Sequence, residues 1–475
     1  MQRPGVTLIG VALTAMLAAC ASPDLPEEPD GYIAASAMGP ERAAALAASP
    51  ASTWLDDLNS PEMSALAREA LAASPDLQIA EATARAARWR ARGAFGGGLL
   101  PSLGIGVEGS RTETPDASDP SIRNTEEIMT SHVNASWEID LWGRISARVL
   151  ATDLSADAVE EDLNAARLSV AGQASSAWVA LVEAQQLLTL AQEDLQTRER
   201  ALDLTQRRYE AGVANALSLR TARSQVASAR AFEAQASDLL LIASRRLQEI
   251  MGRYPDGALA AQGELPQLAP LAAAGAPADL LERRPDVLAS EARLSAAGFR
   301  IHEARAAMLP RLTLTASAGN SGQGLTDIDD SINMVSNLVA GITMPIFQGG
   351  ALLAESRATV AERQAAASDY VRTSIAAWRE VEAAISADQS LAIREQQFAI
   401  AADEARAAQE LAEREYGRGV ATIFELIDAS SRRIEAERGL ITARSARVSN
   451  RIAYHVALGG GAASGGVAAT NGASP

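Results

Sequence analysis

A chain of 475 residues with a formal net charge of −17 at pH 7 is poorly suited to bind nucleic acid, whose phosphates attract cations and repel carboxylates. Aromatic residues make up 4%, and alanine dominates the apolar 48%, which excludes a large aromatic-rich core and favours long helices packed through small side chains. All 42 basic residues are arginine, and with Cys20 as the single cysteine no intrachain disulfide can contribute.

At the N-terminus, Arg3 supplies a thin positive region and Val6 to Met16 an apolar stretch too short to span a bilayer. Leu17, Ala18, Ala19 and Cys20 then form a small-residue cleavage site. A sole cysteine at this boundary resembles a bacterial lipobox, predicting a signal peptide over residues 1–19 and a covalent lipid on Cys20. Ala21 in place of Asp implies, in that lipoprotein pattern, passage to the outer membrane. Residues 20–58, rich in Pro, Ala and acids, read as an acylated arm. No later stretch is long and apolar enough for a transmembrane helix, so any membrane crossing has to use strands.

A first structural repeat is expected over residues 59–252. Periodic helix begins near Pro61, and a second helix runs from Pro75 to Gly93, where Gly96, Gly97, Gly98 and Pro101 are expected to end it. A β-hairpin follows at about 102–141. Its second strand alternates apolar Val133, Ala135, Trp137, Ile139 and Leu141 with polar Asn134, Ser136, Glu138 and Asp140. Leu103, Ile105 and Val107 repeat the pattern more weakly. A proline-free helical pattern then covers residues 144–209, with a heptad seam at Val170, Ala174, Ala177, Leu181, Ala184, Leu188, Ala191 and Leu195. It stops at Tyr209, Gly212 and Val213, and a shorter helix returns over about 215–252.

After a Pro- and Ala-rich equatorial connector at 253–277, the frame recurs over residues 278–457. Pro285 and Asp286 echo Pro75 and Asp76; Trp378 echoes Trp178; Tyr416, Gly419 and Val420 echo Tyr209, Gly212 and Val213. The second hairpin, about 311–347, uses Leu312, Leu314, Ala316 and Ala318 and then Leu338, Ala340, Ile342, Met344 and Ile346. The loops around 114–127 and 321–330 are polar, as solvated outer loops should be. The second long helix, 351–416, carries a weaker seam at Val371, Ile375, Trp378, Val381 and Ile385. The Gly-, Ala- and Ser-rich residues 458–475 read as a disordered tail.

Each strand is about the ~9 to 11 residues a tilted barrel strand needs. Four strands cannot close a membrane barrel, and an open edge in lipid costs several kcal/mol per unpaired backbone group. Subunits therefore have to share one: two chains give ~8 strands around a filled interior, three give ~12 around a pore. Glu138 and Asp140 on the wet face favour the pore and a homotrimer. A small soluble sheet with one buried face is the alternative; Trp137, Trp142 and Phe347 near the strand ends resemble an interfacial aromatic girdle and weigh against it.

Residues 136–144 (SWEIDLWGR), 99–103 (LLPSL), 284–287 (RPDV), 345–350 (PIFQGG) and the two Tyr-x-x-Gly tips resemble the TolC/OprM-type outer membrane efflux factors, lipoprotein branch, over nearly the whole mature chain. The resemblance implies a mainly α protein with a small β part, built from a duplicated helix-hairpin-helix unit. It further implies a trimeric channel-tunnel with a shared outer-membrane β-barrel and a long periplasmic α-helical barrel. The partners implied are a periplasmic adaptor and an inner-membrane pump of the resistance-nodulation-division type, with outer membrane lipid around the barrel. A duct for protein secretion and a lipid-anchored coiled-coil protein stand as alternatives.

The family's periplasmic gate is a ring of acids after the second tip, and the matching positions are Glu425 and Asp428. Spaced i, i+3 they share a helical face, but acids here also suit a helix N-terminal region, and the two readings stand level. Ser218 and Thr221 lack charge in the first repeat, and Ala421 stands where some relatives place a gate-locking Arg. Gly212, Val213, Gly419 and Val420 resemble the adaptor-facing tips, although tight helix reversal alone explains the glycines. His132, His302 and His455 show no ligand spacing, and no nucleophile or phosphate-loop motif appears, so neither catalysis, metal nor any cofactor beyond the lipid is expected.

Overall fold

A computed structural model describes residues 54–119, 121, 123–269, 271, 282–322 and 334–460. Cys20 with its lipobox, most of the arm, part of the connector, most of the second polar loop and the tail from residue 461 lie outside the described residues. A 3-10 turn at Trp54–Leu58 leads into α1 (Pro61–Ala73), α2 (Pro75–Leu99), β1 (Ser102–Pro115), β2 (Arg123–Ile139), α3 (Arg144–Glu210) and α4 (Ala216–Ile250). The second half runs α5 (Pro285–Ala306), β3 (Arg311–Gly322), β4 (Met334–Thr343), α6 (Ala351–Arg418) and α7 (Ile423–Ala457). The long helices α3 and α6 hold 67 and 68 residues, and α4 and α7 hold 35 each. At 1.5 Å per residue the long pair each extend roughly 100 Å.

Pro61, Pro75 and Pro285 all open helices, where a fixed φ is pre-organised and the missing N–H has no partner to lose. The end of α2 corrects the sequence expectation. The helix does not stop at Gly93 but continues through Gly96, Gly97 and Gly98 to Leu99, and the chain turns extended only at Leu100 before Pro101. Arg88 ties α2 to α3, reaching Asp157 at 2.7 Å, Asp153 at 3.6 Å and Glu160.

All four strands pair antiparallel in the order β1-β2-β3-β4. The register sets Ile105 opposite Val133, Val133 opposite Ala318, Leu314 opposite Ala340 and Leu312 opposite Ile342, so the alternating apolar sets fuse into one face. Ser102, Ser136, Glu138 and Thr313 form the other face through the pairs Ser102–Ser136 and Glu138–Thr313. A one-residue slip would exchange the faces. At 14 and 17 residues β1 and β2 exceed the expected strand length, and Glu126 and Glu127 sit in the ladder, not in a loop. The turn that remains is held by Asp116 and Asp119, which accept the backbone N–H groups of Ser118 and Ser121 at 2.8 and 2.9 Å.

The main core lies midway along the long helices. Trp54, Leu55, Met63, Trp178, Leu247 and Ile452 pack there, each fully buried or nearly so. Trp54, Leu55 and Leu58, expected to belong to the arm, are therefore core, with Trp54 stacked on His455 at 5.6 Å between centroids, while Asp56 and Asp57 stay exposed. The connector is laced down by Glu62, which accepts the N–H groups of Gln262 and Gly263 at 2.9 and 2.7 Å. α3 packs against α1, α2, α4, α5 and α7, whereas α6 packs chiefly on α5 and α7. The two seams differ accordingly: Val170, Ala174, Leu181 and Ala191 are buried, but Val371 and Ile375 stay more than half exposed.

Candidate functional site

Both long helices end in the same hydrogen-bonded reversal. Gly212 (φ +74°) donates its N–H to Tyr209 O at 3.0 Å, and Val213 donates to Arg208 O at 2.8 Å. Gly419 (φ +81°) and Val420 repeat this with Tyr416 O at 3.0 Å and Glu415 O at 2.9 Å. This is a Schellman end, whose left-handed residue is strained unless it is glycine. Six residues after each Tyr comes an N-cap: Asn215 accepts from Ser218 N–H at 2.9 Å, and Thr422 accepts from Glu425 N–H at 3.4 Å. Val213 and Val420 project into solvent at 68% and 76% exposure.

The two candidate gate acids lie on one exposed face of the first turns of α7, each with a partner. Glu425 turns back on its own helix, accepting the Thr422 N–H at 2.6 Å and its hydroxyl at 3.0 Å in a capping box. Those two bonds hold its carboxyl below the usual glutamate range. Asp428 accepts from Arg432 Nε at 2.9 Å, one turn along. Helix capping thus accounts for Glu425 in the isolated chain, while Asp428 is two-thirds exposed beside Arg432.

A clasp between the repeats was not visible in the pattern. Tyr416 is buried, its hydroxyl 2.7 Å from Thr205 Oγ1, and Arg208 lies 4.9 Å from the ring centroid while donating to Tyr416 O at 2.6 Å. The guanidinium therefore caps the negative end of α6. The one signal available was that Arg208 precedes the first Tyr where Glu415 precedes the second. Further from the tip, buried Asp194 binds Arg198 Nε at 2.8 Å and accepts from Ser430 Oγ at 3.4 Å, joining α3 to α7. Glu437 gathers Arg433 at 2.6 Å and Arg406 at 2.7 Å, joining α6 to α7.

At the opposite end the strands meet the helices. Trp137 Nε1 donates to Leu99 O at 3.0 Å and Trp142 Nε1 to Pro310 O at 2.7 Å, so the tryptophans of the expected girdle also bolt the junction; Phe347 is exposed. The expectation that Glu138 and Asp140 both line a wet interior needs correction. Glu138 lies on the polar face and pairs with Arg144 at 2.8 Å. Asp140 caps α3, accepting from Ile145 N at 3.0 Å, Ser146 N at 2.8 Å and Ser146 Oγ at 2.7 Å. Among the described residues no group of three His, Cys, Asp or Glu is placed to hold a metal, and no helix is long and apolar enough to cross a membrane.

A strand-crossing sheet apolar on one face, with twin helices of roughly 100 Å beyond it, defines an outer membrane channel extended by a helical tunnel. The family described as outer membrane efflux protein matches residues 66–253 and 276–460, and the chain belongs to that family. It is 30% identical over 478 residues to the outer membrane protein OprJ of Pseudomonas aeruginosa, covering 97% of each chain. To the pyoverdine export outer membrane protein OpmQ of Pseudomonas putida it is 30% identical over 464 residues, covering 94% of this chain and 96% of that one. Among solved structures it superposes on the outer-membrane channel OprN with a TM-score of 0.79 at 25% identity, covering 86% of this chain and 92% of that one. The outer membrane protein VceC of Vibrio cholerae gives 0.77 at 26% identity, covering 86% and 98%. The protein is an efflux channel of the outer membrane.

Proposed function

We propose that three copies of this chain share one barrel of ~12 strands and one helical tunnel, forming a passive duct to the cell exterior. The observation that carries this is the sheet itself: four strands with an apolar face and, among the described residues, unpaired outer edges at β1 and β4 cannot rest alone in lipid. The half-exposed Val371, Ile375, Ile393 and Ile400 along α6 supply an apolar stripe for a neighbouring copy. A lipid on Cys20 anchors the arm in the outer membrane. Gly212, Val213, Gly419 and Val420 meet a periplasmic adaptor, which couples the duct to an inner-membrane pump of the resistance-nodulation-division type.

Glu425 and Asp428 supply six carboxylates at the closed mouth of a trimer, attracting cations and resisting anions. The chain performs no catalysis and uses no cofactor besides the lipid. Relatives at 30% identity are named for pyoverdine export, antibiotic efflux and toluene efflux. Such unlike cargoes on comparably similar chains support selection upstream of the duct.

The test is conductance of the purified, acylated protein in planar bilayers, with subunit stoichiometry measured by light scattering. Trimers whose conductance rises and cation preference falls on Glu425→Ala with Asp428→Ala support the duct and its acidic mouth. Monomers or dimers that conduct no ions, with or without adaptor, would overturn it.

A further inference from the structure

The glycines that fail to end α2 point to a site. An interior helical glycine costs roughly 1 kcal/mol against alanine, yet Gly93, Gly96, Gly97 and Gly98 all lie in the last two turns. Gly98 has a packing reason, since a Cβ there would lie 2.7 Å from Ile145. At Gly93, Gly96 and Gly97 a Cβ would meet nothing within 4 Å. Gly93 and Gly97 instead border a cavity of 650 Å³ between the end of α2 and the start of α3.

Three arginines line this hollow: Arg90, three residues before Gly93 and seven before Gly97 on the same helical face, and Arg144 with Arg148, one turn apart on α3. Glu138 neutralises Arg144. Arg90 and Arg148 have no acidic partner among the described residues, although Arg88, two positions from Arg90, holds three acids. Two uncompensated guanidinium groups thus face a glycine-walled space in a chain of net charge −17. Their planar forks match carboxylate and phosphate oxygens. Ser102, Ser136 and Glu138 border the cavity, which places it on the polar face of the sheet, away from the face of Ile105 and Val133 that meets lipid.

We propose that this cavity holds an anionic group, phosphate or carboxylate, of a solute inside the duct. The lumenal source rests on the trimeric reading above; the anion site itself does not. Two free arginines per chain make six in a trimer, a cationic belt at the barrel base opposite in sign to the acidic mouth.

Pyrophosphate titrated calorimetrically into the full-length, detergent-purified protein at low salt tests this, with subunit stoichiometry measured on the same samples so that failed assembly is told apart from failed binding. Saturable binding is expected, weakened at least tenfold by Arg90→Gln with Arg148→Gln and retained in part by the corresponding Lys pair. Gly97→Leu, which keeps every charge but fills the space, is expected to weaken it too. Binding that is absent in the native protein, or unchanged in the Gln pair, overturns the site. Displacement of pyrophosphate by short-chain phosphatidylglycerol would overturn the lumenal assignment by making lipid the source.

Discussion

The two helical tips have the same backbone and different side-chain roles. Each long helix ends on a Tyr carbonyl bonded to a left-handed glycine and restarts from a cap six residues on, but Tyr416 is 3% exposed and Tyr209 is 43% exposed. Duplication copied the turn, where local geometry alone sets the residue types, and divergence acted on what each tyrosine touches. Arg208 and Thr205 of the first repeat hold the second; among the described residues no equivalent hold runs the other way from Tyr209 or Glu415. The second tip is therefore the clasped one, and the first is the better placed to move.

The largest test of that asymmetry is Tyr416→Ala, expected to cost about 3 kcal/mol locally by opening a cavity and removing the hydrogen bond to Thr205, whose hydroxyl keeps only its bond to Ala201 O, against less than about 1 kcal/mol for Tyr209→Ala. Hydrogen exchange across residues 412–426 and 205–219 reads both. Equal losses would mean that the clasp contributes nothing beyond the turn.

Next in size, Gly212→Ala and Gly419→Ala should each destabilise their turn by about 1–2 kcal/mol, because both force a left-handed residue to carry a Cβ. Matching stability losses with a greater loss of export for one of them would identify that tip as the dominant adaptor contact. Arg208→Ala removes a cap and a cation–π contact and should cost about 1–2 kcal/mol, whereas Glu415→Ala should change stability by less than about 0.5 kcal/mol. A larger conductance in Arg208→Ala trimers would show that the clasp helps keep the mouth shut.

The smallest effects are set by pH. Glu425 is held below its usual pKa by Thr422, so its cap is fully present above the unfolded value and is lost as pH falls through the folded one; Ser218, its counterpart in the first repeat, cannot titrate. Protection factors at the first turn of α7, with the intrinsic pH dependence of exchange removed, should fall on acidification while those of α4 do not, and Glu425→Gln should abolish the difference. In the core, burial beside Trp54 pushes His455 below its usual pKa, Arg451 adding to this and Asp57 opposing it. As pH falls through the unfolded histidine value the unfolded chain takes up the proton first, so stability should drop, and His455→Gln should flatten that slope in a thermal melt.

Wherever one stretch of backbone decides its own geometry, the residues were enough. Period-two alternation gave the strands and their faces, proline marked three helix starts, and Tyr-x-x-Gly-Val marked both reversals. The gate candidates were legible as a face but not as a capping box whose two ends, Thr422 and Glu425, answer each other. Reading Gly96 to Gly98 as a stop failed because glycine only weakens a helix, and packing on α3 through Gly98 and Arg88 outweighs that cost.

The duplicated order of elements, the lengths of the two long helices and the greasy face of each hairpin were thus determined by sequence alone, since they follow from local periodicity. The Arg208–Tyr416 clasp, the core position of Trp54, the exposure of the α6 seam beside the burial of its α3 counterpart, and the arginine-lined hollow at Gly93 and Gly97 were decided only by tertiary structure. Each depends on residues tens to hundreds of positions apart meeting in space, and no periodicity within a single helix or strand encodes which neighbour it will meet.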